Sequence, residues 1–148
     1  MGDGIDDFAR KLQQQIFEEA KEAFGTAAFQ RWHNPLYMGT MQDPDGHARV
    51  HGKCGDTMEI FLKFDGEQVQ EALFQTDGCG SSIACASFAA ELARGKTPDQ
   101  ILEISGDSIL KELGGLPMDQ QHCAFLAAET LQTALHDYMM RQNKKIKP

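Results

Sequence analysis

Apolar residues recur at steps of three and four along the start of the chain, which is the pattern of an amphipathic α-helix. They predict a helix over residues 4–29, with an apolar face made of Ile5, Phe8, Ala9, Leu12, Ile16, Ala20, Ala23 and Ala27. The opposite face carries polar residues such as Lys11, Gln15 and Glu18. Pro35 excludes Asn34 from the helical region, so the helical pattern stops there.

A two-residue alternation follows, as in a half-buried β-strand. Its apolar members are Met58, Ile60, Leu62 and Phe64, with Phe61 as the one misfit. Asp65-Gly66 is a hairpin signal, and residues 68–75 form the return strand. A bulge near residues 71–72 would explain the weaker alternation there. With a short strand over residues 48–53, the pattern predicts a three-stranded antiparallel sheet.

The second half of the chain has helical periodicity, starting with a helix over residues 81–94. Thr97 can cap a short helix that begins with Pro98, and Asp107 and Asp119 can cap two more. The fold class is therefore α+β, with a small three-stranded antiparallel sheet packed against about five helices. A length of 148 residues fits one domain, residues 1–148, in which we expect a flexible tail over residues 141–148.

Composition narrows the functional classes. A net charge of −8 argues against binding to nucleic acid, which needs clustered Lys and Arg. The sequence contains no apolar run long enough to span a membrane, and its start is acidic where a leader peptide would be basic. We therefore expect a cytoplasmic protein. In that reducing compartment the four cysteines are expected to be thiols or metal ligands rather than disulfides.

Three cysteine sites are candidates for chemistry: Cys54 with Asp56, Cys79, and the adjacent His122 and Cys123. Each cysteine lies in a glycine-flanked turn or at a predicted helix start, where a thiolate is stabilised. Such sulfur, nitrogen and oxygen donors suit zinc or iron–sulfur chemistry. The spacings are too long for a zinc finger, so by spacing alone scattered buried thiols remain an equal alternative.

The motifs around these residues resemble those of the IscU/NifU N-terminal family of iron–sulfur scaffold proteins. They are His-Gly-Lys-Cys-Gly-Asp at 51–56, Phe-Gln-Thr-Asp-Gly-Cys-Gly-Ser-Ser-Ile-Ala at 74–84, Gly-Gly-Leu-Pro at 114–117 and His-Cys at 122–123. The resemblance runs in order from about residue 30 to residue 140. It implies an IscU/SufE-like fold and a carrier rather than an enzyme.

The resemblance also implies a mechanism. A 2Fe–2S cluster would be assembled on Cys54, Cys79 and Cys123 and then transferred to apo acceptor proteins. His122 would be a fourth ligand in some states, and Asp56 a ligand or a group that keeps the cluster releasable. Sulfur would come from a cysteine desulfurase as a persulfide, for which Cys123 is the favoured acceptor. Iron and electron donors are further expected partners, and zinc can fill the site of the isolated protein.

Three positions depart from the family pattern. Residues 116–120 lack the second proline and the lysine of the usual Leu-Pro-Pro-Val-Lys stretch, which puts a dedicated Hsp70-type chaperone partner in doubt. Asp77 stands beside Cys79 where an apolar or aromatic residue is common, and we expect this to alter cluster stability. Cys85 stands where a small residue is usual, and we interpret it as a core residue rather than a ligand.

Two alternative functions remain. A sulfur-relay protein of the SufU/SufE type would carry a persulfide on Cys123 without holding a cluster, although such proteins usually lack the histidine that stands here as His122. A zinc hydrolase or deaminase would use three of the same ligands and an open water position. Zinc deaminases need a Glu within an H-x-E and C-x-x-C frame, and neither motif is present in the sequence.

Overall fold

The computed structural model describes residues 3–24, 26–53 and 55–146. Its helices are α1 Asp3–Phe24, α2 Thr26–His33, α3 Gly80–Ala93, α4 Pro98–Leu102, α5 Gly106–Leu113 and α6 His122–Ile146, with a short 3₁₀ helix at Met118–Gln120. Its strands are β1 Gly46–His51, β2 Thr57–Asp65 and β3 Gln68–Thr76. The strands form one antiparallel sheet in the order β1-β2-β3. The predicted α+β class is confirmed.

The sheet has the predicted hairpin and the predicted irregularity. Lys63 pairs with Glu71 while Phe64 pairs with Val69, so Gln70 is the extra residue of a bulge. That places the bulge one residue before the predicted 71–72. Phe61, the misfit in the alternation, lies on the outer face of the sheet but is only 7% exposed.

The core lies between the sheet and the helices α3 and α6. The inner face of the sheet contributes Met58, Ile60, Leu62 and Phe74, all fully buried. Against it pack the small residues of α3, a helix that is apolar on nearly all sides, together with Leu131 and Leu135 of α6. Because α3 is enclosed by the sheet and its neighbouring helices, its position and direction are tightly determined.

The N-terminal region differs from the prediction of one helix over 4–29, because the structure has two helices, α1 and α2. Helix α2 packs on α3 through Arg31, whose Nη2 lies 2.9 Å from a carboxylate oxygen of Glu91 and whose guanidinium lies 4.7 Å from the centre of the Phe88 ring. An amphipathic pattern usually indicates a packed face. The large apolar residues of the α1 stripe are nevertheless exposed, with values of 74% for Ile5 and 68% for Phe8.

The helix starts in the second half agree in part with the sequence. Thr97 caps α4 as predicted and forms a capping box with Gln100. Asp107 does not cap α5, because the hydroxyl of Ser105 accepts a hydrogen bond from the amide of Ser108 instead. Asp119 lies within the 3₁₀ helix and not at the start of α6.

Helix α6 extends further than the predicted boundary. It continues to Ile146, so residues 141–146 of the expected flexible tail are helical, while the last two residues of that tail lie outside the described ranges. The flexibility of the tail stays a prediction. Within the described ranges, no helix is long and apolar enough to cross a membrane.

Gly46 tests the packing of β1 on α6. A Cβ atom at this position would lie 2.5 Å from the carbonyl oxygen of Ala134 and 2.9 Å from Cβ of Tyr138. We expect Gly46→Ala to lower the free energy of unfolding by about 1–3 kcal/mol, because backbone must move to relieve the overlap. Urea denaturation measures the change.

Gly4→Ala is the matched control, since no atom lies within 4 Å of its Cβ position and alanine favours helix. Equal stability of the Gly46→Ala protein and the parent would contradict the close packing of β1 on α6.

Candidate metal centre

Three segments of the chain meet at one edge of the sheet. β1 ends at His51 and β2 begins at Thr57, so the loop between them lies at this edge. β3 ends at Thr76, which is next to the start of β2 because Met58 pairs with Thr76. The chain then turns directly into α3, and the first turn of α6 completes the group.

Three of the predicted ligands are brought together here. The candidate ligand atoms of Asp56, His122 and Cys123 all lie within 4.8 Å of one another. Cys123 Sγ is 3.6 Å from Nε2 of His122. The thiol is fully buried, the carboxylate half-buried and the imidazole exposed, so the group extends from the interior to the surface. A thiol, an imidazole and a carboxylate form a donor set that suits zinc or iron.

The hydroxyl of Ser82 lies between two of these groups. It donates a hydrogen bond to Oδ2 of Asp56 at 2.8 Å and lies 3.3 Å from Sγ of Cys123. Ser82 itself is fully buried. A Cβ atom at Gly78 would lie 2.5 Å from Oγ of Ser82 and 2.8 Å from Oδ2 of Asp56. Gly78 is therefore needed because a larger residue would overlap the Ser82–Asp56 pair.

Cys79 stands at the N-cap of α3, as predicted, and is exposed. Its Sγ lies 3.8 Å from Oε1 of Gln120, which also accepts a hydrogen bond from the hydroxyl of Ser81 at 2.5 Å. Cys79 is not part of the group formed by Asp56, His122 and Cys123. The remaining predicted ligand, Cys54, lies outside the described residues.

Asp77 connects the end of β3 to the start of β2. Its Oδ1 accepts a hydrogen bond from the amide of Thr57 at 2.7 Å, and its own amide donates to the carbonyl of Thr57 at 3.3 Å. The hydroxyl of Thr76 donates to the same carbonyl at 2.8 Å. The carboxylate of Asp77, which was expected to act on Cys79, is therefore bonded to the backbone of Thr57. This bond connects the segment after Asp56 to the turn before Cys79.

Comparison with known families identifies the architecture. The family model described as NifU-like N terminal domain matches residues 23–145. This chain belongs to that family. The match covers every described element except most of α1 and the last residue of α6.

Relatives within the NifU-like family carry informative names. The chain is 40% identical over 124 residues to the iron–sulfur cluster assembly scaffold protein IscU 1 of Archaeoglobus fulgidus, covering 83% of this chain and 80% of the relative. It is 37% identical over 114 residues to the scaffold protein IscU of Aquifex aeolicus, covering 75% and 73%. The crystal structure of FiSufU, a SUF-system scaffold candidate from Fervidobacterium islandicum, shares the fold with a TM-score of 0.63 at 19% identity, covering 78% of this chain and 98% of that one.

Helix starts set the electrostatics of the site. α3 begins directly after Cys79, and Cys123 is the second residue of α6. The partial positive charge at a helix N-terminus favours anions and thiolates. Both helices therefore direct this favourable end toward sulfur, as the sequence predicted.

Cys85 has the opposite environment. It is fully buried on α3, and burial, followed by the nearby Cys123 and Cys79, raises its pKa far above the usual range of a thiol. It remains protonated at neutral pH. The interpretation of Cys85 as a core residue agrees with this burial.

Sequence reasoning missed two residues that contact the site, Ser82 and Gln120. The ring of Trp32 lies against the backbone beside Cys79, since a Cβ atom at Gly80 would be 2.8 Å from it. Ser82 could have been found from the sequence, because it is a polar residue on a buried helix, three positions after Cys79. A buried hydroxyl requires a hydrogen-bond partner. Gln120 has no such local signal, because its partners are about forty residues away.

Burial predicts a reactivity order for the three described thiols. Under native conditions with iodoacetamide, Cys79 is expected to react first, Cys123 much more slowly and Cys85 slowest, since access and thiolate character both limit alkylation. Peptide mass mapping over time measures each rate, with urea-unfolded protein as the control. Alkylation of Cys85 as fast as Cys79 would contradict the described burial.

Proposed function

We propose that this protein is a scaffold on which a 2Fe–2S cluster is assembled before it passes to apo acceptor proteins. The observation that carries the proposal is the convergence of Asp56, His122 and Cys123 within 4.8 Å at the start of a helix. Cys79 lies at the start of a second helix and shares the partner Gln120 with Ser81, the neighbour of Ser82. The names of the relatives from Archaeoglobus fulgidus and Aquifex aeolicus support the same role.

Each ligand has a proposed role. Cys54, Cys79 and Cys123 supply the thiolates that bind iron, and His122 supplies an imidazole. Cys79 is exposed and its contact with Gln120 is long at 3.8 Å, so it can turn toward iron at little cost. Asp56 supplies a hard oxygen donor, which binds soft iron–sulfur units less firmly than a fourth thiolate and keeps the cluster transferable.

Sulfur delivery requires a cysteine desulfurase. The thiolate of Cys123 would attack the outer sulfur of the desulfurase persulfide, and the desulfurase thiolate would leave. An electron donor then supplies the two electrons that reduce this sulfur to sulfide. Because Cys123 is fully buried, the transfer requires local opening around the start of α6.

The carrier interpretation extends to the other partners. Iron donors and apo acceptor proteins follow from the proposed role. A dedicated Hsp70-type chaperone is not among the proposed partners, because residues 116–120 lack the second proline and the lysine of the Leu-Pro-Pro-Val-Lys stretch that is usual in the family. In this protein the segment forms a 3₁₀ helix whose Gln120 contacts the site instead.

Anaerobic reconstitution with iron, cysteine and a desulfurase tests the proposal. The parent protein should develop the visible absorption of a 2Fe–2S cluster. Cys54→Ala, Cys79→Ala and Cys123→Ala should each abolish it, because each removes an iron ligand. Cys85→Ala is the matched control and should retain the chromophore, since Cys85 lies in the core.

Two further measurements would favour the alternative functions. A persulfide on Cys123 by mass spectrometry, with no chromophore under any condition, would replace the scaffold by a sulfur-relay role. Turnover of nucleosides or amides by the zinc-loaded protein would replace it by a hydrolase.

Asp77 provides a second test of the scaffold. Asp77→Phe removes the acceptor for the Thr57 amide, one of three hydrogen bonds that hold Thr57 to this turn, and so loosens the segment that carries Asp56. We expect the reconstituted cluster to decay at least several times faster than in the parent, as followed by its visible absorption. Asp77→Asn keeps the Oδ1 acceptor and should decay at the parental rate.

A change at Cys85 should have a smaller effect than Asp77→Phe. Equal lifetimes in the Asp77→Phe protein and the parent would show that this hydrogen bond does not control cluster retention.

A further inference from the structure

Ser82 has an unusual position among the buried serines of α3. Its hydroxyl proton is donated to Oδ2 of Asp56, and its oxygen contacts Sγ of Cys123. By contrast, the hydroxyl of Ser87 on the same helix is bonded to the backbone of Leu36, and that of Ser81 to Gln120. Only Ser82 among these three touches two candidate metal ligands.

We propose that Ser82 is a positioning residue that presents Asp56 to the metal as a ligand through one oxygen. The hydrogen bond occupies Oδ2 and leaves Oδ1 as the oxygen for the metal. A carboxylate held in this way is oriented before the metal arrives, and its bonded oxygen carries less charge. The inference rests on the proposed function only for its use of Asp56 as a ligand.

The surroundings of Asp56 support this role. The position of a Cβ at Gly78 is 2.8 Å from Oδ2 and 2.6 Å from Cβ of Ser82, so the carboxylate and the serine are packed against the same glycine. Rotation that moved Oδ2 away from Ser82 would leave the buried hydroxyl with only its weaker contact to Sγ of Cys123, which is unfavourable. Hydrogen bonds from residues behind a metal ligand generally fix the orientation of the ligand, and their loss weakens metal binding about 10- to 100-fold.

The experiment uses the full chain and Co²⁺ alone, without cluster assembly. Ser82→Ala should weaken Co²⁺ binding about tenfold, as measured by competition with a chelator. Ser82→Thr keeps the hydroxyl and should restore most of the affinity. Ser87→Ala is the matched control, because it removes a buried hydroxyl of α3 that contacts no candidate ligand, and it should bind Co²⁺ as the parent does.

A double-mutant cycle separates positioning from general support of the fold. If Ser82 acts through Asp56, Ser82→Ala should have little further effect on Co²⁺ affinity in an Asp56→Ala protein. Additive losses of affinity in the double variant would overturn the proposal, as would unchanged affinity in Ser82→Ala.

A spectroscopic measurement on the parent protein covers the case in which Ser82→Ala fails to fold. Infrared difference spectra of the Zn²⁺-loaded and apo proteins, assigned with Asp56→Asn, report how the carboxylate binds. A wide separation of its two stretching bands is expected for a single bound oxygen, and a narrow separation would contradict the proposal. If the Ser82 variants bind Co²⁺ with the expected affinities but reconstitution yields no cluster, the positioning role of Ser82 stands and the scaffold function is rejected.

Discussion

The hydroxyl of Ser82, placed between the carboxylate of Asp56 and the thiol of Cys123, is the contact on which the arrangement of the site depends. It joins the loop after β1, the start of α3 and the start of α6, which are far apart in sequence. The contact forms because Gly78 has no Cβ atom to fill the same space. It also explains how a carboxylate can lie against a buried thiol, since the hydroxyl satisfies its charged oxygen.

A centre that holds and releases a cluster needs both protection and access. The structure divides these requirements among its candidate ligands, with Cys123 in the interior, Asp56 partly covered, and His122 and Cys79 at the surface. The two helix N-termini supply a favourable environment for anionic sulfur.

Local sequence patterns predicted helices and strands better than they predicted the burial and contacts of individual side chains. The period of apolar residues located α1, yet Ile5 and Phe8 on its stripe are exposed, because periodicity describes a helix and not what lies against it. The prediction of the residue that caps α5 was wrong for a related reason. Ser105 and Asp107 are both good capping residues, and only the path of the chain into α5 decides between them.

By itself the sequence determined the α+β class, the hairpin with its bulge, the helix that begins beside Cys79, and the motifs that indicate the family, whereas it placed the start of the last helix too early, at Asp119. These features depend on periodicity, turn residues and thiol-bearing motifs, which are local. Only the tertiary structure decided that Ser82 and Gln120 contact the site and that Asp77 holds Thr57. Those contacts join residues tens of positions apart, and they form because the packing of α3 between the sheet and α6 brings three chain segments to one edge.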